Sequence, residues 1–241
     1  GVGCGGGVGG RGEGGGWSGP CVRCGGRGGK KGRGAEGYAC EGWSDEAGWP
    51  LERRLGVVRG QITAWLGGHR GQEVRVVSAC AGQGRDLLEV LARMSGAESV
   101  RARLVELDRR NVAIAERAAR EAGLDGVDVV RGDAGRIDAY VGAVPADLVL
   151  LCGVFGNVSD EDIRRTIDLL PQLCAANATV IWTRSRRAPD LTPDIRAWLA
   201  GARFVERSFD APSDALISVG VHQFVGDPQA PVLGQQMFRF L

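Results

Sequence analysis

A chain of 241 residues with 44% hydrophobic side chains is long enough for one ordinary domain and apolar enough to bury a core. Thirty basic residues against 29 acidic ones leave a formal charge of +1, so no global field draws the protein to nucleic acid or anionic lipid, and any basic contact surface has to be local. No apolar run approaches the roughly 20 residues that span a bilayer and no secretory signal opens the sequence, which leads us to expect a soluble, cytoplasmic protein with no membrane partner.

Residues 1–42 hold 20 of the 40 glycines and almost no branched apolar side chains. Such a stretch cannot bury enough surface to offset the entropy of ordering glycine, so it reads as a disordered leader. Cys21-x-x-Cys24 invites a zinc reading with Cys4 and Cys40, but the second closely spaced pair of a zinc ribbon is absent and we expect no metal there. The folded domain is placed at 45–241. Leu51, Leu55, Val58, Ile62 and Trp65 recur at helical spacing until Gly67-Gly68 ends the pattern.

Beyond it strand-like and helical runs alternate: 74–79 then 85–94, 99–106 then 109–122, 127–131, 146–152 then 160–174, and 179–183. Mostly apolar strands joined by helices imply a parallel sheet covered on both faces. After a helix at about 193–200, the runs 203–209 and 216–224 have no room for a helix between them. They must therefore pair antiparallel. The expected fold is α/β, a doubly wound seven-stranded, mostly parallel sheet closed by a C-terminal antiparallel hairpin.

The strongest local signal is the strand 74–79 running into Cys80-Ala-Gly-Gln-Gly84 and then a helix. Gly82 and Gly84 allow a close backbone approach, and a helix start aims unpaired N–H groups at a ligand. Glu106 follows 24 residues later at the end of the next strand, where a carboxylate can accept hydrogen bonds from both hydroxyls of a ribose.

These segments resemble class I, Rossmann-like methyltransferases that use S-adenosylmethionine. Ser78 to Gly84, with Ala79 and Cys80 inside it, is similar to their cofactor loop, and 105–111 to their ribose-binding segment. On that resemblance Glu106 takes the ribose, Asp133 the adenine amino group and Ala134 the adenine edge. Cys152, Gly153, Phe155 and Asn157 border the place where methyl group and acceptor meet. Two positions depart from the family pattern, Ser78 in place of an acidic residue and Cys80 in place of glycine. The acid normally helps to hold the methionine end of the cofactor, and a thiol leaves less room than glycine.

Transfer from a sulfonium is an in-line displacement that needs alignment and exclusion of water rather than a metal, and no metal is expected in a chain whose histidines are His69 and His222. His222 is the candidate base if it faces the carboxyl ends of the strands. Trp43, Trp49 and Tyr140 are candidate aromatic walls for the acceptor. An Asn/Asp-Pro-Pro-Tyr loop is missing, with Cys152-Gly-Val-Phe155 in its place, so the expected acceptor is a small molecule rather than nucleic acid; Arg184-Ser-Arg-Arg187 could meet an acidic one. The alternatives are a cofactor-binding relative without turnover, and an NAD(P)-dependent oxidoreductase. Against the latter stand Leu87 at the third glycine of GxGxxG and the lack of a Tyr-x-x-x-Lys pair. Oligomeric state has no sequence signal.

Overall fold

The computed structural model describes residues 48–241, with side chains from residue 52 onward. The leader, its cysteines and Trp43 lie outside the described residues, as does the side chain of Trp49. Helix α1 (Gly48–Gly68) enters the sheet, whose strands are β1 (Val74–Ala79), β2 (Val100–Glu106), β3 (Val127–Arg131), β4 (Ala146–Leu151), β5 (Cys174–Ser185), β6 (Phe204–Asp210) and β7 (Ile217–Phe224). Between them run α2 (Leu88–Leu91), α3 (Arg109–Glu121), α4 (Asp160–Leu169) and α5 (Thr192–Gly201).

The sheet order is β3-β2-β1-β4-β5-β7-β6, parallel through β5, with β7 antiparallel to both β5 and β6. This is the seven-stranded sheet with a terminal hairpin that the sequence predicts. The period-2 alternation of strand side chains divides the core in two. Val74, Val76 and Leu104 meet Val58, Ile62 and Leu66 of α1 and Ala115 and Ala119 of α3 on one face. On the other face Val77, Val149 and Val180 meet Ile163 and Ile167 of α4 and Ile195 and Leu199 of α5.

Three boundaries differ from expectation. The helix predicted over 85–94 is a single regular turn flanked by tighter ones, in which Leu87, Val90, Arg93 and Met94 N–H reach back three residues rather than four. Pro171 has no N–H to continue α4, which ends in a 3-10 turn over Leu170–Gln172. β5 starts at Cys174 rather than at 179, and its pairing with β4 shifts register between Ala146 and Leu148, near Asn177 at φ +64.

Trp182, fully buried in β5, lies flat across β7 because residue 220 is glycine: a Cβ there would sit 2.3 Å from the indole. Residues 235–240 lie beyond the last strand and outside every helix and strand. They cross the loops after β3 and β4, pairing Gln236 with Arg136 and Phe240 with Val158, and they bury Met237 and Phe238. No described helix is long and apolar enough to cross a membrane.

Candidate active site

β1 connects onward to β2 on one side, while β3 returns across it to β4 on the other, so the crevice at the carboxyl ends of β1 and β4 is the switch point where doubly wound sheets take ligands. The turn after β1 passes through positive φ at Cys80 (+54), Gly82 (+57) and Gly84 (+70). The two glycines do different work. A Cβ on Gly84 would lie 2.7 Å from Leu88 and 2.8 Å from Leu104, so this glycine seats the turn on the core, whereas nothing lies within 4 Å of a Cβ on Gly82. Gly82 alone is open to a ligand.

Glu106, buried at the end of β2, accepts Gly82 N–H through Oε2 and Asp108 N–H through Oε1, both at 2.8 Å. Asp108 in turn caps α3, taking Arg110 N–H at 2.7 Å. The carboxylate is thus fixed between the glycine turn and the next helix, with each oxygen retaining capacity for a further donor. Asp133, after β3, accepts Gly135 N–H at 2.8 Å and the Gln236 amide at 3.2 Å. Ala134 beside it is buried, its carbonyl held by the Tyr140 hydroxyl at 2.7 Å. Ser78 and Ala79 are buried within β1.

The turn after β4 is opened by Gly153 at φ +88, whose N–H donates to Thr183 Oγ1 at 2.9 Å and whose Cβ position is empty space. Asn157 closes the turn, donating to Gly153 O at 2.7 Å. Cys152 stands at its start, packed on the α1-bearing face of the sheet. Burial and then the neighbouring Asp86 push its thiol well above the usual range, so it is a neutral apolar wall rather than a base or nucleophile.

Several expected residues are not brought to this crevice. Phe155 is fully buried, 5.9 Å from the Trp182 ring, and Tyr140 is equally buried; neither can wall an acceptor. His222 is 1% exposed and pairs with Val180, two residues before Trp182, which lies level with Leu151 at the end of β4, so the strand rise of about 3.3 Å per residue seals it about 7 Å below that edge. Its Nδ1 lies 3.2 Å from Trp182 Nε1, and burial lowers its pKa to about 4. Cys80 packs half-buried beside Tyr140 and the core. Arg184 and Arg186 donate to backbone carbonyls, of Phe155 and of Pro212 and Ala215 respectively, clasping loops to the sheet.

Other residues come into view only in three dimensions. Leu107, 48% exposed directly after Glu106, offers an apolar lip. Asp86, two residues beyond Gly84, is buried against Cys152 and within electrostatic reach of Arg54 from α1. The visible signal was an acidic side chain inside the turn motif itself; Arg54 had none, because only the fold brings α1 beside the turn after β1.

The chain matches, over residues 53–207, the family described as "Putative methyltransferase". It belongs to this methyltransferase family. Among solved structures, the magnesium protoporphyrin IX methyltransferase of Synechocystis PCC 6803, which holds bound S-adenosylmethionine, aligns with TM-score 0.59 at 14% identity, covering 76% of this chain and 86% of that one. The cyclase SpnF aligns with TM-score 0.53 at 15% identity, covering 69% and 82%. At these identities the likeness is one of fold. A 5-methyltetrahydropteroyltriglutamate–homocysteine methyltransferase of Burkholderia thailandensis is 35% identical over 108 residues, 39% of this chain but only 14% of that protein's length. A methyltransferase family and an antiparallel β7 both stand against the oxidoreductase alternative.

The crevice fits the cofactor of this methyltransferase fold. The bare backbone at Gly82 and Gly153 leaves room on both sides of the switch point, and a fixed carboxylate with spare lone pairs, Glu106, stands at its β2 end.

Proposed function

We propose that this chain is an S-adenosylmethionine-dependent methyltransferase acting on a small-molecule acceptor. The observation that carries the reading is Glu106, buried and clamped by two backbone N–H groups beside an open Gly82, where it can take both hydroxyls of a ribose. Asp133 and Ala134 would receive the adenine and Leu107 its face, while Cys152 and Gly153 border the far end. Bound cofactor supplies a sulfonium methyl group for in-line displacement. What the protein contributes is alignment, from turns fixed by Thr183 and Asn157, and a dry apolar wall from the neutral Cys152 thiol.

A small acceptor is favoured because the turn after β4 offers no exposed aromatic to clamp a flipped base: Phe155 points into the core. Calorimetric titration with S-adenosylhomocysteine and with NAD, followed by labelled methyl transfer into fractionated cell extract, tests the reading. Binding of the first ligand only, with label in the small-molecule fraction, is expected; binding of NAD, or label in nucleic acid or protein, refutes it. The second reading, a relative without turnover, is favoured by Ser78 and Cys80 and requires tight cofactor binding with no labelled product from any fraction.

A further inference from the structure

We infer that Asp86 and Arg54 hold the zwitterionic amino-acid end of the cofactor, replacing the acidic residue that Ser78 lacks; this rests on the methyltransferase reading above. If Glu106 takes the ribose at the end of β2 and Asp133 lies beyond it at β3, the rest of the cofactor has to run the other way, across β1 towards β4. Two strand spacings of about 4.8 Å carry it roughly 10 Å, to the space between the turn after β1 and the end of β4. Asp86 and Cys152 flank that space, in contact with each other.

The position normally given to the acid cannot serve, because Ser78 is sealed within β1 between Leu104 and Leu150. Asp86 is a carboxylate in a costly place. It is buried, and although one oxygen receives Leu87 N–H at 2.9 Å, with the Cys152 thiol beside it and Arg54 within electrostatic reach, burial outweighs these partners. An ammonium group arriving beside it would add to the positive charge that Arg54 already supplies. Arg54 reaches over the same space from α1, close enough to act on both Asp86 and Cys152, and presents a guanidinium to the carboxylate of the same ligand. One negative and one positive side chain side by side match a group that bears one charge of each sign.

Three probes separate the parts of the ligand: S-adenosylhomocysteine carries both charges, decarboxylated S-adenosylmethionine keeps the ammonium, and 5′-methylthioadenosine has neither. Calorimetry on the full chain should show Asp86→Asn weakening the first two by about tenfold or more, with 5′-methylthioadenosine within about twofold. Arg54→Gln should weaken S-adenosylhomocysteine alone. Because Asp86 is buried, thermal unfolding of each variant is measured in parallel, and the half-buried Arg54 carries the test if Asp86→Asn does not fold. Equal losses for all three probes, or an undiminished affinity for S-adenosylhomocysteine, would overturn the inference. Failure of the wild type to bind any probe would instead remove the methyltransferase reading, and this assignment with it.

Discussion

Replacing Glu106 with alanine removes an acceptor that the protein uses before any ligand arrives. Gly82 N–H and Asp108 N–H each lose a carboxylate partner at 2.8 Å, and hydrogen bonds to charged groups contribute about 1.5–3 kcal/mol apiece. Water can re-enter at the open Gly82 side and recover about half of that sum, leaving a loss of roughly 1.5–3 kcal/mol. For a domain of this size that lowers the melting temperature by about 3–12 °C. Glu106→Gln keeps one acceptor oxygen but turns amide hydrogens towards the other N–H, so its loss should be intermediate. Affinity for S-adenosylhomocysteine should fall at least about tenfold in both variants, since a ribose hydroxyl loses a charged partner. Differential scanning calorimetry without ligand and isothermal titration with it measure the two effects separately. A Glu106→Ala protein that melts within about 1 °C of wild type and binds the nucleoside unchanged would refute both the clamp and the ribose assignment.

His222 provides a test by pH. Its folded pKa of about 4 lies below the ordinary 6.5, so between those values the unfolded chain takes up a proton that the folded one refuses. Stability is therefore fully present above about pH 6.5 and declines as pH falls towards 4, by roughly 3 kcal/mol at the limit. The Arg196 bond holds the adjacent Glu206 carboxyl low, which adds a loss of the same sign at more acid pH. Urea midpoints at pH 7 and 5 should converge for His222→Gln relative to wild type, and an identical pH dependence in both would dismiss the buried histidine as its source. At Cys80, φ of +54 costs a non-glycine residue about 1 kcal/mol, offset in Cys80→Gly by the lost packing of a half-buried thiol; melting should move by only a few degrees, while Cys80→Val should fall further. A Cys80→Val protein as stable as wild type would contradict the turn geometry.

Much of this was legible because the decisive signals were local. The apolar alternation of β1, β2 and β4 and the short gap between β6 and β7 are written in consecutive residues, and they led to a seven-stranded sheet with its antiparallel edge. Glu106 was legible for the same reason: a strand end 24 residues beyond a glycine turn can hardly lie anywhere else. What was not legible depended on which way a side chain faces. Phe155, Tyr140 and His222 look alike on paper as candidates near a site, but each is committed to the core by neighbours far away in sequence, Trp182 above all. Arg54 failed in the opposite direction, since nothing in a helix sequence tells where its first turns will lie over a sheet. The split of tasks between Gly82 and Gly84 was likewise invisible, because the difference lies in Leu88 and Leu104 rather than in the glycines.

The run from Gln235 to Leu241 ties parts of the crevice rim that share no strand. Ile137 N–H bonds Gln235 O, Met237 N–H bonds Gly135 O, and Leu241 N–H bonds Asn157 O, so one short segment is laced to the loops that follow both β3 and β4. Thermodynamic linkage then couples the seating of this segment to the shape of the proposed nucleoside pocket. A ligand that tightens Asp133 must also tighten the segment that Gln236 belongs to, and fraying of that segment must be felt as weaker binding by the same factor. The rim of the pocket behaves less like two loops than like a drawn lace, as firm as its last knot.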